Sequence, residues 1–159
     1  MNFVGLDLSF NGTGLTVLSD SSEILSQKLI ASSPKESIEQ RIIYVSNEIF
    51  CEVKKLETFI ICVEGLSLAS HGQATLDLAG LHFYVRILIY LDYPEEGVYV
   101  IPPNTLKKFV TGTGRCQKNL MLLKTYKKFG VEFSDDNLCD SYCLARYGID
   151  KYTKNKEAK

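Results

Sequence analysis

Asn2-Phe3-Val4-Gly5-Leu6-Asp7-Leu8-Ser9-Phe10-Asn11-Gly12-Thr13-Gly14 is the stretch from which the reading of this chain starts. Residues 2 to 8 form a short apolar run with strand-like alternation, broken only by Asp7. Ser9 to Gly14 is turn chemistry, with Asn11-Gly12 the strongest hairpin signal in the chain. Leu15–Leu18 and Ile24–Ile30 then read as two further strands of an antiparallel meander. Ser33-Pro34-Lys35-Glu36 reads as a helix start, Ser33 capping and Pro34 opening the first turn. Ile38, Ile42, Val45, Ile49 and Val53 follow at helical spacing, so that helix is expected to reach about Lys55. Thr58 to Val63 is continuously apolar, the pattern of a buried central strand. Glu64 stands at its end.

Beyond a loop (Leu66 to Gly72), Gln73–Leu91 reads as an apolar helix and Val98–Ile101 as a short buried strand. A short helix from Pro102-Pro103-Asn104 leads to Thr111-Gly112-Thr113-Gly114. Cys116–Phe129 is a basic amphipathic helix closed by Gly130. Ser134 is expected to cap a last helix to about Tyr147, with Gly148 as its stop. The result is one α/β domain without repeats over residues 1–150, followed by a basic, disordered tail over 151–159.

The chain has 159 residues, 45% hydrophobic and 23% charged, with no tryptophan. That length supports a full core without disulfide or metal staples. The composition argues against disorder, collagen-like repeats and coiled coil. No apolar run approaches the ~20 residues of a membrane span, and the N-terminus lacks the layout of a signal peptide. No membrane is therefore expected as a partner. The five cysteines include no CxxC pair and read as reduced thiols of a cytoplasmic protein.

Taken alone, the net charge of −1 argues against nucleic acid as a partner. The charge is unevenly laid out, however. Gly97 to Val131 carries Lys107, Lys108, Arg115, Lys118, Lys124, Lys127 and Lys128 and no acid, so the segment is +7 and the rest −8. A phosphate backbone responds to that local field, not to the sum. A solvated helix face is the plainer alternative.

Two acids sit where packing would not choose them: Asp7 inside an apolar strand and Glu64 ending a buried one. An unpaired buried carboxylate is costly, so each needs a cation, donors or a metal. Asp136 and Asp140 arrive on the last helix four apart, on one face. Asp135 and Asp136 also suit a helix N-terminus through its dipole. Four carboxylates with no histidine nearby in sequence suit Mg²⁺ or Mn²⁺ far better than zinc. A Ser-His triad is not supported.

Gly5-Leu6-Asp7-Leu8-Ser9 with Gly12-Thr13-Gly14, then Val63-Glu64-Gly65, Thr111-Gly112-Thr113-Gly114-Arg115-Cys116-Gln117-Lys118 and Asp136-Asn137-Leu138-Cys139-Asp140-Ser141-Tyr142-Cys143-Leu144-Ala145 together resemble the RuvC family of Holliday junction resolvases, and most of all its small phage-encoded branch. The match runs from about residue 3 to residue 148, in the family's order. The resemblance implies an RNase H-like fold, a five-stranded mixed sheet flanked by helices. It implies a homodimer whose subunits each nick one strand of a branched DNA, in the cytoplasm (the host's, if phage-encoded). Asp7, Glu64 and Asp140 match the family's catalytic acids. The remaining member falls on Asn137, with Asp136 one residue earlier as the substitute, and which of the two completes the site stays open. Lys118 matches a basic residue near the scissile phosphate. Two Mg²⁺ ions (Mn²⁺ as an alternative) about 3.5–4 Å apart would bridge that phosphate, and no small-molecule cofactor is implied.

On this reading Lys107, Lys108, Arg115, Lys118 and Lys124 bind phosphates flanking the cut. Leu66 or Leu68, just after Glu64, would wedge into unpaired bases at the crossover, unless both are core. His71 reads as a solvent-facing polar side chain, with DNA contact as the alternative, and Tyr126 and Phe129 as core. The helix Gln73–Leu91 carries apolar residues on more than one face, which suits burial on one side and a dimer partner on the other. Three alternatives stay open: a flap- or hybrid-cleaving RNase H-like nuclease, a non-catalytic DNA-binding module on the same fold, and an actin-like ATPase. The last needs a second lobe, for which the chain is too short.

Overall fold

The computed structural model describes residues 1–66, 72–115 and 117–152. Five strands form one mixed sheet in the order β3-β2-β1-β4-β5. They are β1 (Asn2–Asp7), β2 (Thr13–Ser19), β3 (Ile24–Ile30), β4 (Phe59–Glu64) and β5 (Gly97–Ile101). The first three form the antiparallel meander, and β1-β4 and β4-β5 pair in parallel. Parallel neighbours need a crossover, supplied by α1 (Ile38–Val53) and α2 (Gln73–Asp92). Three helices follow β5: α3 (Pro103–Thr111), α4 (Lys118–Phe129) and α5 (Asp136–Tyr152). The α/β architecture and mixed sheet are those expected.

The two-residue period of the strands sorts the core into two layers. Val4, Leu6, Leu15 and Val17 face α1 and α2, packing with Val45, Ile49, Leu81, Val85 and Ile89. Phe3, Leu18 and Cys62 face the other way, against Leu106, Met121, Tyr142 and Leu144 of α3–α5. The same alternation places Asp7, four residues after Phe3, and Glu64, two after Cys62, on the face that α5 covers.

Glycines let α5 sit directly on the strand backbone there. A Cβ on Gly5 would lie 1.8 Å from the Ser141 carbonyl oxygen, and one on Gly14 would lie 2.0 Å from that of Asn137. A buried hydroxyl chain then fixes the helix. Ser141 Oγ donates to the Leu138 carbonyl (2.9 Å), and Gln27 Nε2 donates to Thr16 Oγ1 (2.9 Å). Thr16 and Ser141 are 2.8 Å apart, so Thr16 is left to donate to Ser141.

Several boundaries differ from the sequence expectation. Helix α1 begins at Ile38, capped by Ser37 in a reciprocal box with Gln40, and not at Pro34. Ser32 and Ser33 are used elsewhere: Ser32 Oγ donates to the Phe10 carbonyl, and Glu36 N–H closes a turn on Ser33. Helix α5 is capped by Asp135, whose Oδ1 accepts from the Asn137 and Leu138 amides, and not by Ser134. Gly148 does not stop it. A Cβ there would press on Cys62 Sγ and Phe3 Cδ1 at 3.1 Å, so the glycine serves close packing. The helix runs on to Tyr152, whose ring stacks on Tyr99 at 4.2 Å. Lys151 and Tyr152 are therefore helical, and the rest of the expected tail lies outside the described residues.

Two further corrections concern exposure and length. Tyr126 is exposed instead of core, while Phe129 is half-buried against Tyr142. Helix α2 is long and apolar enough to cross a membrane by length and composition, at 20 residues and hydropathy 1.3. Asp77, His82 and Arg86 interrupt its apolar run, which hid this from a count of consecutive residues. Its Leu81, Val85 and Ile89 are built into the sheet core.

Candidate active site

At the carboxyl ends of β1 and β4 lies a cavity of about 450 Å³, where open α/β sheets characteristically bind ligands. Asp7, Glu64, Asp136 and Asp140 all line it, as does Asn137. Asp7 is brought there as the last residue of β1, opposite Gly14, the glycine over which the first turn of α5 passes. Glu64 ends β4 opposite Ile101. The capping carboxylate of Asp135 aims the first turn of α5, so Asp136 and Asp140 project into the same space. Asp135 is thereby spent on the helix end, as its dipole reading anticipated.

The electrostatics of this space are strained. Burial pushes the Glu64 carboxyl up to about 7, the neighbouring Asp140 carboxylate pushes the same way, and Lys107 opposes them. A carboxyl held this close to neutrality gains most from a nearby positive charge. Among the described residues no three acidic, histidine or cysteine side chains are already gathered around one point as a closed metal cage. The donors facing the cavity are nonetheless mostly carboxylate oxygens, and hard divalent cations take such sets with water completing the shell. The residues present therefore fit a hydrated Mg²⁺ or Mn²⁺.

Lys107, on α3, lines the cavity and is the cation nearest Glu64 in effect. Lys108 and Arg115 are exposed, and Lys124 is half-buried. Lys118 opens α4, but its side chain lies outside the described residues. Leu66 lines the cavity, half-buried. Leu68, His71 and Cys116 lie outside the described residues.

The sequence reading missed His82. It lies on α2, is buried, and lines the same cavity as the acids. Burial and then Arg86 push its imidazole down to about 4, so it is neutral at physiological pH. The expectation of carboxylates without a histidine held in sequence and fails in space, because α2 returns 18 residues later to the end of β4. One polar residue inside an otherwise apolar helix turn was the available signal. Asn104, at the start of α3, also reaches the cavity and had no distinguishing signal.

No family model matches the chain. It is 26% identical to the crossover junction endodeoxyribonuclease RuvC of Ehrlichia canis (strain Jake), over 98% of this chain and 99% of that one. Its fold is similar to that of Thermus thermophilus RuvC, with a TM-score of 0.78 and 16% identity, covering 99% and 97% of the two chains. The T. thermophilus RuvC in complex with Holliday junction substrate matches with a TM-score of 0.72 at 16% identity, over 91% and 90%. The resemblance to the RuvC family thus holds along the whole chain, and the fold is RNase H-like.

Proposed function

We propose that this chain is a divalent-metal-dependent endonuclease that cuts four-way or other branched DNA by phosphodiester hydrolysis. The observation that carries the reading is the convergence of Asp7, Glu64, Asp136 and Asp140 on one cavity at the strand ends. Whole-length similarity to RuvC proteins supports the choice of branched DNA as substrate. Asp7, Glu64, Asp140 and Asp136 would hold Mg²⁺ or Mn²⁺, two ions per site, with Asn137 beside them as a neutral oxygen donor. Such ions, when bound, neutralise phosphate charge and make bound water acidic enough to attack.

The chain's own residues do the positioning. The Asp140 carboxylate raises the cost of ionising Glu64, and a cation held between the two relieves that cost. Lys107 places a fixed positive charge at the cavity wall, where a DNA phosphate flanking the cut would lie. Lys108, Arg115 and Lys124 extend that field outward and would steer the duplex arms, with Lys118 at the start of α4 as a further phosphate contact. Leu66, at the cavity wall, would pack against a base or sugar entering the site. Two copies, one on each strand, would nick the junction symmetrically. The unburied stripe of α2 (Leu76, Phe83, Ile87, Tyr90 and Leu91) is the apolar face suited to that pairing.

The test is a labelled four-way junction with Mg²⁺, set beside fork, flap, RNA–DNA hybrid and plain duplex substrates. The parent is expected to nick the junction in preference to duplex, while Asp7→Asn and Glu64→Gln bind it without cutting. Cleavage by all three proteins, or by none, sinks the reading.

A further inference from the structure

The exposed side of α4 sets two large apolar side chains among cations. Leu123 is 48% exposed and Tyr126 53%, and at three residues apart they lie side by side on the helix. Asn119, Lys127 and Gly130 complete the same solvent-facing stripe, and Lys124 borders it. The side of α4 turned inward is already occupied. Met121 is in the core, Thr125 Oγ1 is 3.1 Å from Cys143 Sγ, and Lys128 is engaged over the Phe109 ring at 3.8 Å. Leu122 lines the carboxylate cavity. Tyr126 stands four residues further on the same side, one helical turn of about 5.4 Å from it.

Charge indicates what this face meets. The apolar stripe of α2 has one exposed charge of each sign beside it, Arg86 and Asp92, whereas the α4 pair sits in a segment of seven cations and no acid. A partner must therefore offer dense negative charge together with flat apolar surface. Unpaired nucleotides combine the two, since every base has a face on which an aromatic ring stacks.

We propose that Leu123 and Tyr126, flanked by Lys124 and Lys127, form a stacking platform for an unpaired base neighbouring the phosphate held in the carboxylate cavity. The proposal rests on the nuclease reading and adds to it a preference for substrates with unpaired nucleotides at the branch. Tyr126 supplies the ring, Leu123 the edge of the platform, and the two lysines the charge for the adjoining phosphates.

The absence of tryptophan provides the probe. In an Asp7→Asn background with Mg²⁺, Tyr126→Trp introduces a single indole on an exposed helix face, where folding is not at risk. Its emission is expected to be quenched by an oligo(dT) strand and by a junction with an unpaired centre, but not by a fully paired duplex of equal length. Tyr126→Ser should weaken oligo(dT) binding about 5- to 150-fold, by the same factor at low and high salt, because stacking is not ionic. Lys127→Gln should instead reduce the salt dependence. Unchanged emission while labelled DNA is demonstrably bound, or unchanged affinity of Tyr126→Ser, overturns the platform alone. An emission change that follows protein concentration and not DNA makes the face a contact between copies and overturns it too. If the parent binds no DNA of any form, the nuclease reading falls first and the platform with it.

Discussion

Glu64 is the residue at which stability and function pull apart. Its carboxyl titrates near 7 in the folded chain, against an ordinary value of 4.5. A raised acid favours the protonated form in the fold, so stability is lost as pH rises from 4.5 through 7 and the cost is complete above that. Glu64→Gln is therefore expected to melt higher than the parent at pH 8, by about 1–3 kcal/mol after allowance for solvent at the cavity mouth, and to differ little at pH 4. Calorimetry at the two pH values checks it. The same variant should lose cleavage by at least ~100-fold, since the amide keeps an oxygen donor but not the negative charge that holds a divalent cation. Mg²⁺ should raise the melting temperature of the parent at pH 8 and do less for Glu64→Gln. Asp7 and Glu64 were legible in the sequence because a charge in an apolar strand is anomalous. His82 was not, because a lone histidine in a long apolar helix looks like one more helix residue.

Helix α5 is the element that assembles the site. It carries two of the four acids and rests on bare backbone at Gly5 and Gly14. Gly14→Ala would drive a methyl group into the Asn137 carbonyl at 2.0 Å, lifting the first turn of α5 away from Asp7. The expected cost is about 1–3 kcal/mol by thermal melting, with cleavage reduced more than stability alone explains. Gly112→Ala, at φ 83 with nothing within 4 Å, serves as the comparison: strained locally, but leaving α5 in place. The helix itself was visible as a pattern, but its limits were not. Ser134 and Gly148 carry ordinary start and stop signals, which Asp135 and the packing of Gly148 on Cys62 and Phe3 override.

For the whole molecule, the proposed function gives the unburied faces of α2 and α4 different work. The α2 stripe is apolar and nearly uncharged; if it pairs two copies, as proposed, Ile87→Asp is expected to shift the chain from dimer to monomer in light scattering while leaving the fold unchanged. The basic face of α3 and α4 should govern salt response. Lys108, exposed on α3, contacts phosphate on this reading, so Lys108→Gln is expected to lower the slope of log affinity against log salt by about one. Fluorescence anisotropy with a labelled junction across a salt series measures it.

The strands, their alternation and the misplaced acids were determined by the sequence alone, because period-two burial and the cost of a charge among apolar residues are local facts. So was the uneven layout behind the net charge of −1. Only the tertiary structure decided that Asp7, Glu64, Asp136 and Asp140 share one cavity, that His82 and Lys107 join them, and that Tyr126 faces solvent. Those outcomes depend on how closely α5 settles on the sheet and on where α2 and α4 return. The approach of α5 is set by glycines and carbonyls that lie next to one another in space and more than 100 residues apart along the chain.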